Sequence, residues 1–268
     1  MKKRMLLGLL LCMVITGASE AKAVSITLND MPTSVDVALC NSTSYVPLRA
    51  VTEILEPSAK ISWTEGKAVV ASPDLYIAAR PGDCYLNANG RMLYAADGIQ
   101  IINGSTYVPV RALSKALGAT VTWDSKTKSA SLHTGSGAIP SGDIYYNEND
   151  LYWLARIISA ESKGEPLLGQ IAVGNVVLNR VKSPDFPDSI YDVIFDRKWG
   201  VQFEPTQNRT IYETPSEESI LAAKLCLDGA SVVGDCLYFL NPEEAGNPWA
   251  MKNRSFVATI GDHYFYTD

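Results

Sequence analysis

Residues Ile157-Ile-Ser-Ala-Glu-Ser-Lys-Gly-Glu-Pro-Leu167 run an apolar helical stripe directly into a carboxylate. At helical spacing Leu151, Leu154, Ala155 and Ile158 share one face, Trp153 and Ile157 flank it, and Glu161 follows three residues after Ile158 on its edge. The spacing predicts a half-buried Glu161. A carboxyl desolvated beside apolar side chains has a raised pKa, stays protonated near neutral pH and can act as a general acid. Gly164 and Pro166 predict the end of the helix, leaving the carboxyl near a loop where a cleft can open. The alternative is a glutamate that simply faces solvent at a helix end, the commoner fate of this residue type.

Outward from this stretch, Asn147 with Asp150 three residues on predicts the N-cap of the same helix. A second helix, about Leu168 to Lys182, offers Ile171, Val173, Val177, Leu178 and Val181 for packing, and Gly174 permits close approach. Asn179 and Arg180 at its end read as structural. Pro184 and Pro187 break the chain before a short helix around Ser189 to Phe195. A later helix is predicted to start with Thr214 as cap, Pro215 in the first helical position and Glu217 completing a capping box. Leu237 to Leu240 and Phe256 to Ile260 read as strands. Several helices with a few short strands make this half α+β.

The segments LARIISAESKGEP from Leu154, GQIAVGNVVLNRVKSPDFPDSI from Gly169, CLYFLNP from Cys236 and ATIGDHYFY from Ala258 occur in this order. They resemble the cell-wall hydrolase family of the SleB and CwlJ type, the spore cortex-lytic enzymes, from about Leu151 to the C-terminus. The resemblance implies a lysozyme-like, mainly helical α+β catalytic domain. It also makes Glu161, the first glutamate of (G/A)E-x-(R/K)-GEP, the catalytic acid. Lys163 stands where the family usually carries arginine, which keeps the charge and loses the bidentate fork.

The implied reaction is cleavage of the β-1,4 bond between N-acetylmuramic acid and N-acetylglucosamine by lytic transglycosylation, on spore cortex or cell wall, with no cofactor. A conventional glycosidase uses a second carboxylate across the bond. Glu165 is too near in sequence, and Asp185, Asp188, Asp192 and Asp196 read as loop, cap or solvent residues. That inventory favours the transglycosylase over a muramidase, although proximity is not legible in a sequence. Gln202 and Phe203 are the candidate substrate contacts opposite Glu161, an amide for an N-acetyl group and an aromatic edge for a sugar ring. For Phe203 a buried ring is the equal alternative. Tyr238 and Asn241 are candidates for the same cleft, with Trp249 further out.

Rival classes fare worse on the same inventory. A zinc amidase lacks HExxH or paired CxxC ligands, and a serine hydrolase lacks its G-x-S-x-G elbow. A Cys–His peptidoglycan peptidase is possible by residue count, from Cys226 or Cys236 with His263, but Cys226 lies among Leu221, Leu225 and Leu227 on the late helix, where burial is the ordinary outcome. A non-catalytic wall-binding protein is the remaining alternative.

The first half is built from a repeat. Asn41-Ser-Thr-Ser-Tyr-Val-Pro-Leu-Arg-Ala50 recurs as Asn103-Gly-Ser-Thr-Tyr-Val-Pro-Val-Arg-Ala112. Each copy continues through a short helix, Val51 to Leu55 or Leu113 to Leu117, into a strand with a tryptophan, Trp63 or Trp123, and a closing strand. The unit resembles the copper amine oxidase N-terminal-like domain and predicts a small repeat-built α+β domain. The chain's only histidines are His133 and His263, so an imidazole-rich copper site cannot be assembled. Tyr45, Tyr107, Trp63 and Trp123 have rings that stack on sugars, but their repeated, helix-flanked positions read more simply as core and interface packing. Arg49 and Arg111 read as local caps or pairs.

Met1-Lys-Lys-Arg4, the apolar run Met5 to Ile15 and Ala21-Lys-Ala23 predict a secretory signal cut after Ala23, too short to remain as a membrane span. The leucine before Cys12 fits a lipoprotein site poorly, so the expectation is a secreted, extracytoplasmic protein at cell wall or spore cortex. Losing Lys2, Lys3, Arg4 and Lys22 against Glu20 moves the formal charge from -6 to -9, which disfavours nucleic acid as a partner. The expected partner is the glycan strand of peptidoglycan. Cys40 with Cys84 and Cys226 with Cys236 are the simplest disulfides, and four free thiols are the equal alternative. The expected organisation is a signal peptide (1–23), the repeat domain (24–132), a flexible Gly/Ser/Pro linker (133–143) and the catalytic domain (144–268).

Overall fold

The computed structural model describes residues 25–127, 129–243 and 249–268. The expected signal peptide and its cleavage point lie outside the described residues.

The first half runs β1 (Ser25–Leu28), β2 (Met31–Pro32), β3 (Ala38–Cys40), β4 (Thr43–Pro47), α1 (Leu48–Leu55), β5 (Lys60–Thr64), β6 (Lys67–Ser72), β7 (Leu75–Ala79), β8 (Tyr85–Ala88), β9 (Arg91–Tyr94), β10 (Gln100–Ile102), β11 (Ser105–Pro109), α2 (Val110–Ala116), β12 (Thr120–Asp124) and β13 (Ser129–His133). The helices start at Leu48 and Val110, about a turn earlier than the expected Val51 and Leu113. Pro47 and Pro109 end their strands in extended backbone and serve as N-caps, so helix begins at the next residue. Among the described residues the strands form the sheets β12-β13-β1-β2, β10-β11-β4-β3 and β5-β6-β7-β8-β9. Strands β4 and β11 pair antiparallel with Val46 opposite Val108, Tyr45 opposite Pro109 and Pro47 opposite Tyr107. Equivalent positions of the two repeats thus meet around a local two-fold axis. Ile26, Leu28, Val46, Leu48, Ile77, Leu86, Val108, Leu113 and Leu132 lie in one core that both repeats share.

The hairpin β8–β9 was not foreseen, although its turn carries a strong signal. Asn89 and Gly90 have φ of 51° and 80°, the two left-handed positions of a two-residue hairpin that Asn-Gly favours. This hairpin projects Tyr85, Met92 and Tyr94 against the core of the second half.

The second half runs α3 (Gly142–Tyr145), α4 (Glu148–Ser162), α5 (Leu167–Lys182), α6 (Ile190–Phe195), α7 (Pro205–Asn208), a 3-10 turn (Thr210–Tyr212), α8 (Glu217–Leu227), β14 (Tyr238–Leu240), α9 (Trp249–Asn253), β15 (Ser255–Ile260) and β16 (His263–Thr267). Asn147 caps α4 by accepting from the N–H groups of Asn149 and Asp150. Helices α4, α5 and α8 pack together around Leu154, Ile157, Ile158, Ile171, Val177, Ala222 and Leu225. At Gly174 a Cβ would come 2.7 Å from Cys226 Sγ and 2.8 Å from Ile158 Cδ1, so glycine is what lets the three helices approach. The cap of α8 is Ser216, whose hydroxyl accepts from Ser219 N–H; the expected Thr214 cap is off by two residues because Pro215 precedes the helix and Glu217 begins it. The short sheet β14-β16-β15 packs beside α5.

The linker expected to be flexible, residues 133–143, is bonded to the first half. Thr134 N–H donates to Asn29 Oδ1 at 2.8 Å, Ile139 N–H to Ala116 O at 3.1 Å and Gly142 N–H to Asn89 O at 2.8 Å, while Asn89 Nδ2 donates to Ile139 O at 2.8 Å. Ile139 is buried in the first core. The glycines here serve close approach: a Cβ on Gly118 would lie 1.5 Å from Gly137 O, and one on Gly135 would lie 2.0 Å from Gly118 O.

The two halves are joined through Asp228, just past α8. Its carboxylate is 1% exposed and accepts from Arg91 Nε at 3.0 Å and Nη2, Met92 N–H at 3.2 Å, Lys115 Nζ at 3.2 Å and the Tyr146 hydroxyl. The Arg91 guanidinium also lies 3.2 Å from the centre of the Tyr145 ring. Burial and the Asp228 hydrogen bond hold the Tyr146 phenol in its protonated form, well above the ordinary range.

Cys40, Cys84, Cys226 and Cys236 are free thiols, which decides between the two cysteine alternatives. No helix among the described residues is long and apolar enough to cross a membrane.

Candidate active site

Glu161 lies in the last turn of α4, where the apolar stripe ends and the helix stops at Ser162. It opens on a cavity of about 530 Å³, lined among others by Arg156, Ser159, Lys163, Arg180, Gln202, Glu204, Glu213, Phe239, Asn241 and His263. Its pKa is raised to about 7, first by burial and next by the charge of Glu204, against the opposing pull of Arg180. Near neutral pH such a carboxyl exists in both forms. It can therefore give a proton and take one back at the same pH.

Arg180 comes from the last turn of α5, buried, with Nε donating to Leu237 O at 2.8 Å. The aromatic rings of Phe186, Phe203 and Tyr238 surround its guanidinium with centres 5.0, 5.2 and 5.8 Å away. This desolvation lowers its pKa to about 10, which leaves it charged at neutral pH. Among the described residues its Nη1 is buried without a hydrogen-bond partner. The sequence reading gave Asn179 and Arg180 a structural role. Asn179 keeps it, with Nδ2 donating to Gly234 O at 2.8 Å and Cys236 O at 3.0 Å. Arg180 does both jobs: it anchors the chain before β14 and brings a cation to Glu161.

Of the other candidates, Gln202 and Asn241 line the cavity with Glu161. Phe203 does not. It is 2% exposed, part of the core, with its ring 6.4 Å from that of Phe239. The aromatic edge at the cavity belongs to Phe239 instead. Tyr238 also lies outside the lining, although the next residues along β14, Phe239 and Leu240, belong to it. Its hydroxyl accepts from Arg254 Nη2 at 3.2 Å and its ring meets Trp249 at 5.9 Å, while the same ring packs against Arg180.

The expected lack of a second carboxylate near Glu161 needs correction, since Glu204 and Glu213 line the same cavity. Glu204 immediately precedes Pro205, the first residue of α7. Only the turn into α7 brings it to the cleft, and no local spacing relates it to α4. Glu165 is occupied elsewhere: Oε2 accepts from Asp262 N–H at 3.0 Å, and Oε1 lies 3.7 Å from His263 Nδ1. It fixes the β15–β16 turn. A Cβ on Gly261, where φ is 59°, would lie 1.6 Å from Glu165 Oε2.

The far wall is held by Arg156, which donates to Glu213 O at 2.5 Å and to Ile211 O at 3.4 Å. Buried in α5, Gln170 ties the loop after α4 to α8, donating to Glu165 O and Glu218 Oε2, each at 3.0 Å, and accepting from Ser219 Oγ at 2.7 Å.

Neither cysteine of this half lines the cavity. Cys226 is enclosed between α5 and α8 with its thiol raised far above the reactive range, and Cys236 is pushed up to about 11, both mainly by burial. Thiolate chemistry with His263 has no geometry here. In the first half, His133 ends β13 at 3.8 Å from Asp30, and no group of three or more His, Cys, Asp or Glu side chains among the described residues could hold a metal ion. The donor set does not fit a copper centre.

A family model described as Copper amine oxidase N-terminal domain matches residues 25–132, and one described as Cell Wall Hydrolase matches residues 164–266, starting just past Glu161. The spore cortex-lytic enzyme of Bacillus cereus is 37% identical over 127 residues, 47% of this chain and 46% of that protein. The chain thus spans about half the length of this relative. The cell wall hydrolase CwlJ of Oceanobacillus iheyensis is 32% identical over 108 residues, 38% of this chain and 75% of that protein. Among solved structures, the catalytic domain of the germination-specific lytic transglycosylase SleB from Bacillus anthracis is 36% identical and covers 48% of this chain and 100% of that chain, with a TM-score of 0.42. Matched to a curated relative over three quarters of that relative's length, and carrying this cavity in the matched half, the chain belongs to the cell wall hydrolase family.

Proposed function

We propose that this chain cleaves the β-1,4 bond between N-acetylmuramic acid and N-acetylglucosamine of peptidoglycan as a lytic transglycosylase, outside the cytoplasm at the spore cortex or cell wall. The observation that carries the reading is Glu161: a carboxyl with its pKa near 7 in a cavity lined mostly by hydrogen-bonding side chains. Its neutral form protonates the glycosidic oxygen. The bond from C1 of the muramic residue to that oxygen breaks with its electrons on the leaving hydroxyl, and the 6-hydroxyl of the same sugar then attacks C1. Its proton passes to the Glu161 carboxylate, which restores the acid and leaves a 1,6-anhydro end. Arg180 stabilises the carboxylate in the interval, and the charge on Glu204 raises its basicity for the return step. Gln202 and Asn241 offer amides to N-acetyl groups, and Phe239 offers an apolar edge to a ring.

The wall polymer as substrate is supported by the names of the relatives, a spore cortex-lytic enzyme and a cell wall hydrolase. A second reading rests on Glu204. A second carboxyl group in the same cavity is what a muramidase would use to activate water. Mass spectrometry of the muropeptides released from purified sacculi separates them. Anhydromuramic ends support the transglycosylase, reducing muramic acid supports the muramidase, and cut peptides or reducing glucosamine overturn both.

A further inference from the structure

We propose that the first half carries two matched glycan-binding grooves, one around Trp63 and one around Trp123, that hold peptidoglycan strands; the choice of polymer rests on the functional reading above. The local two-fold at Val46 and Val108 makes each groove from both repeats. In the first, of about 740 Å³, Arg49 and Trp63 of one repeat face Ser105 and Thr106 of the other. In the second, of about 720 Å³, Arg111 and Trp123 face Thr43 and Ser44. The same chemistry is therefore assembled twice from equivalent positions.

Packing accounts for the tyrosines of the repeat and not for the tryptophans. Tyr45 and Tyr107 are buried, whereas Trp63 is 57% and Trp123 is 45% exposed. Both tryptophans lie on strands at the edge of their sheets, β5 and β12. Keeping two of the largest apolar side chains in water at matching sites gains nothing for the core, and such exposure marks a binding surface. An indole face stacks on the C–H face of a pyranose, while adjacent hydroxyls and a guanidinium suit its hydroxyl and acetamido groups.

At the second groove, charge points to the same occupant. The Trp123 groove has Arg111 and no acid in its lining, and this favours a glycan whose stem peptides carry carboxylates. In the Trp63 groove, Arg49 is paired with Glu53 at 3.4 Å and Asp36 adds a second acid, so that groove relies on stacking and hydroxyl contacts and not on charge. A polymer that presents the same disaccharide repeatedly can occupy both grooves, and two weak contacts on one strand or on neighbouring strands add by avidity.

The test uses the full chain carrying Glu161→Gln, so that sacculi are bound and not digested, and measures its partition onto purified insoluble sacculi. Trp63→Ala and Trp123→Ala should each weaken binding several-fold, and the double variant by at least about tenfold. Trp63→Tyr with Trp123→Tyr should restore most of the binding, because a ring is kept. Placed in the chain with Glu161 intact, the double alanine variant should cleave short soluble glycan fragments at the parent rate, which shows that the cleft and fold survive. Unchanged sacculus binding by the double alanine variant overturns the proposal. So does a parent dimer, seen in sedimentation equilibrium, that dissociates on the same substitutions while sacculus binding stays, since the grooves would then hold a second copy. If the parent cleaves no wall glycan but the double variant still loses sacculus binding, the catalytic reading fails and the grooves stand.

Discussion

Arg180 and Glu161 reach one cavity from successive helices, and the guanidinium lowers the pKa of a carboxyl that burial and Glu204 raise. The acid is thus held between opposing influences, with its balance near pH 7. Each can be removed separately.

Glu161→Gln should abolish turnover and leave the fold intact, because the amide keeps the shape and cannot deliver a proton. The same variant should be more stable than the parent at high pH. The folded-state pKa of about 7 lies above the ordinary glutamate value of 4.5, so the contribution of Glu161 is fully present below about pH 4.5 and is lost as pH rises through 7. Urea unfolding should show little difference at pH 4 and an advantage of about 3 kcal/mol for glutamine at pH 8. An advantage confined to acid pH would contradict the site as described.

Glu204→Gln removes one of the two influences that raise Glu161. The falling alkaline limb of the pH–rate profile should move to lower pH, and activity at pH 7 should drop while the acid plateau stays. A collapse of activity at every pH would instead give Glu204 a direct chemical role, as in the muramidase reading.

Asp228→Asn should loosen the junction between the halves. It leaves the buried Arg91 guanidinium without its counter-charge, and breaking such a pair costs about 3–5 kcal/mol. Denaturation followed by fluorescence should show that loss, with the cleft still active below the transition. Unchanged stability would mean that the junction contributes little to holding the halves.

Cys226→Ser should keep full activity. The thiol lies in the helix core away from the cavity and donates to Ile171 O at 3.4 Å; a serine hydroxyl finds the same acceptor, so the cost stays at about 1 kcal/mol. Loss of turnover with an unchanged unfolding midpoint would bring back thiol chemistry.

The α4 stripe and Glu161 at its end were legible because helical periodicity acts within a few residues. Gln202 and Asn241 were legible as chemistry, and the fold alone brings them to Glu161. Glu204 was not, since only the turn into α7 carries it there. Phe203 was ambiguous for a related reason: an aromatic beside polar neighbours can face a cleft or the core, and here the Arg180 cluster takes it. The repeat could be read directly. Its exposed tryptophans could not, because edge position depends on which strands pair. The glycines of residues 134–142 suggested freedom by composition, yet their missing side chains serve backbone contact with Gly118.

The contact between Glu165 and Gly261 restricts how this sequence can change. Any side chain at 261 would occupy the space of the Glu165 carboxylate, and it would also have to adopt a backbone angle of 59° that only glycine tolerates freely. Shortening residue 165 would make room but remove the acceptor for Asp262 N–H. Neither position can drift alone without cost, so among descendants of this chain the two should be inherited as a pair although they lie in distant parts of the sequence.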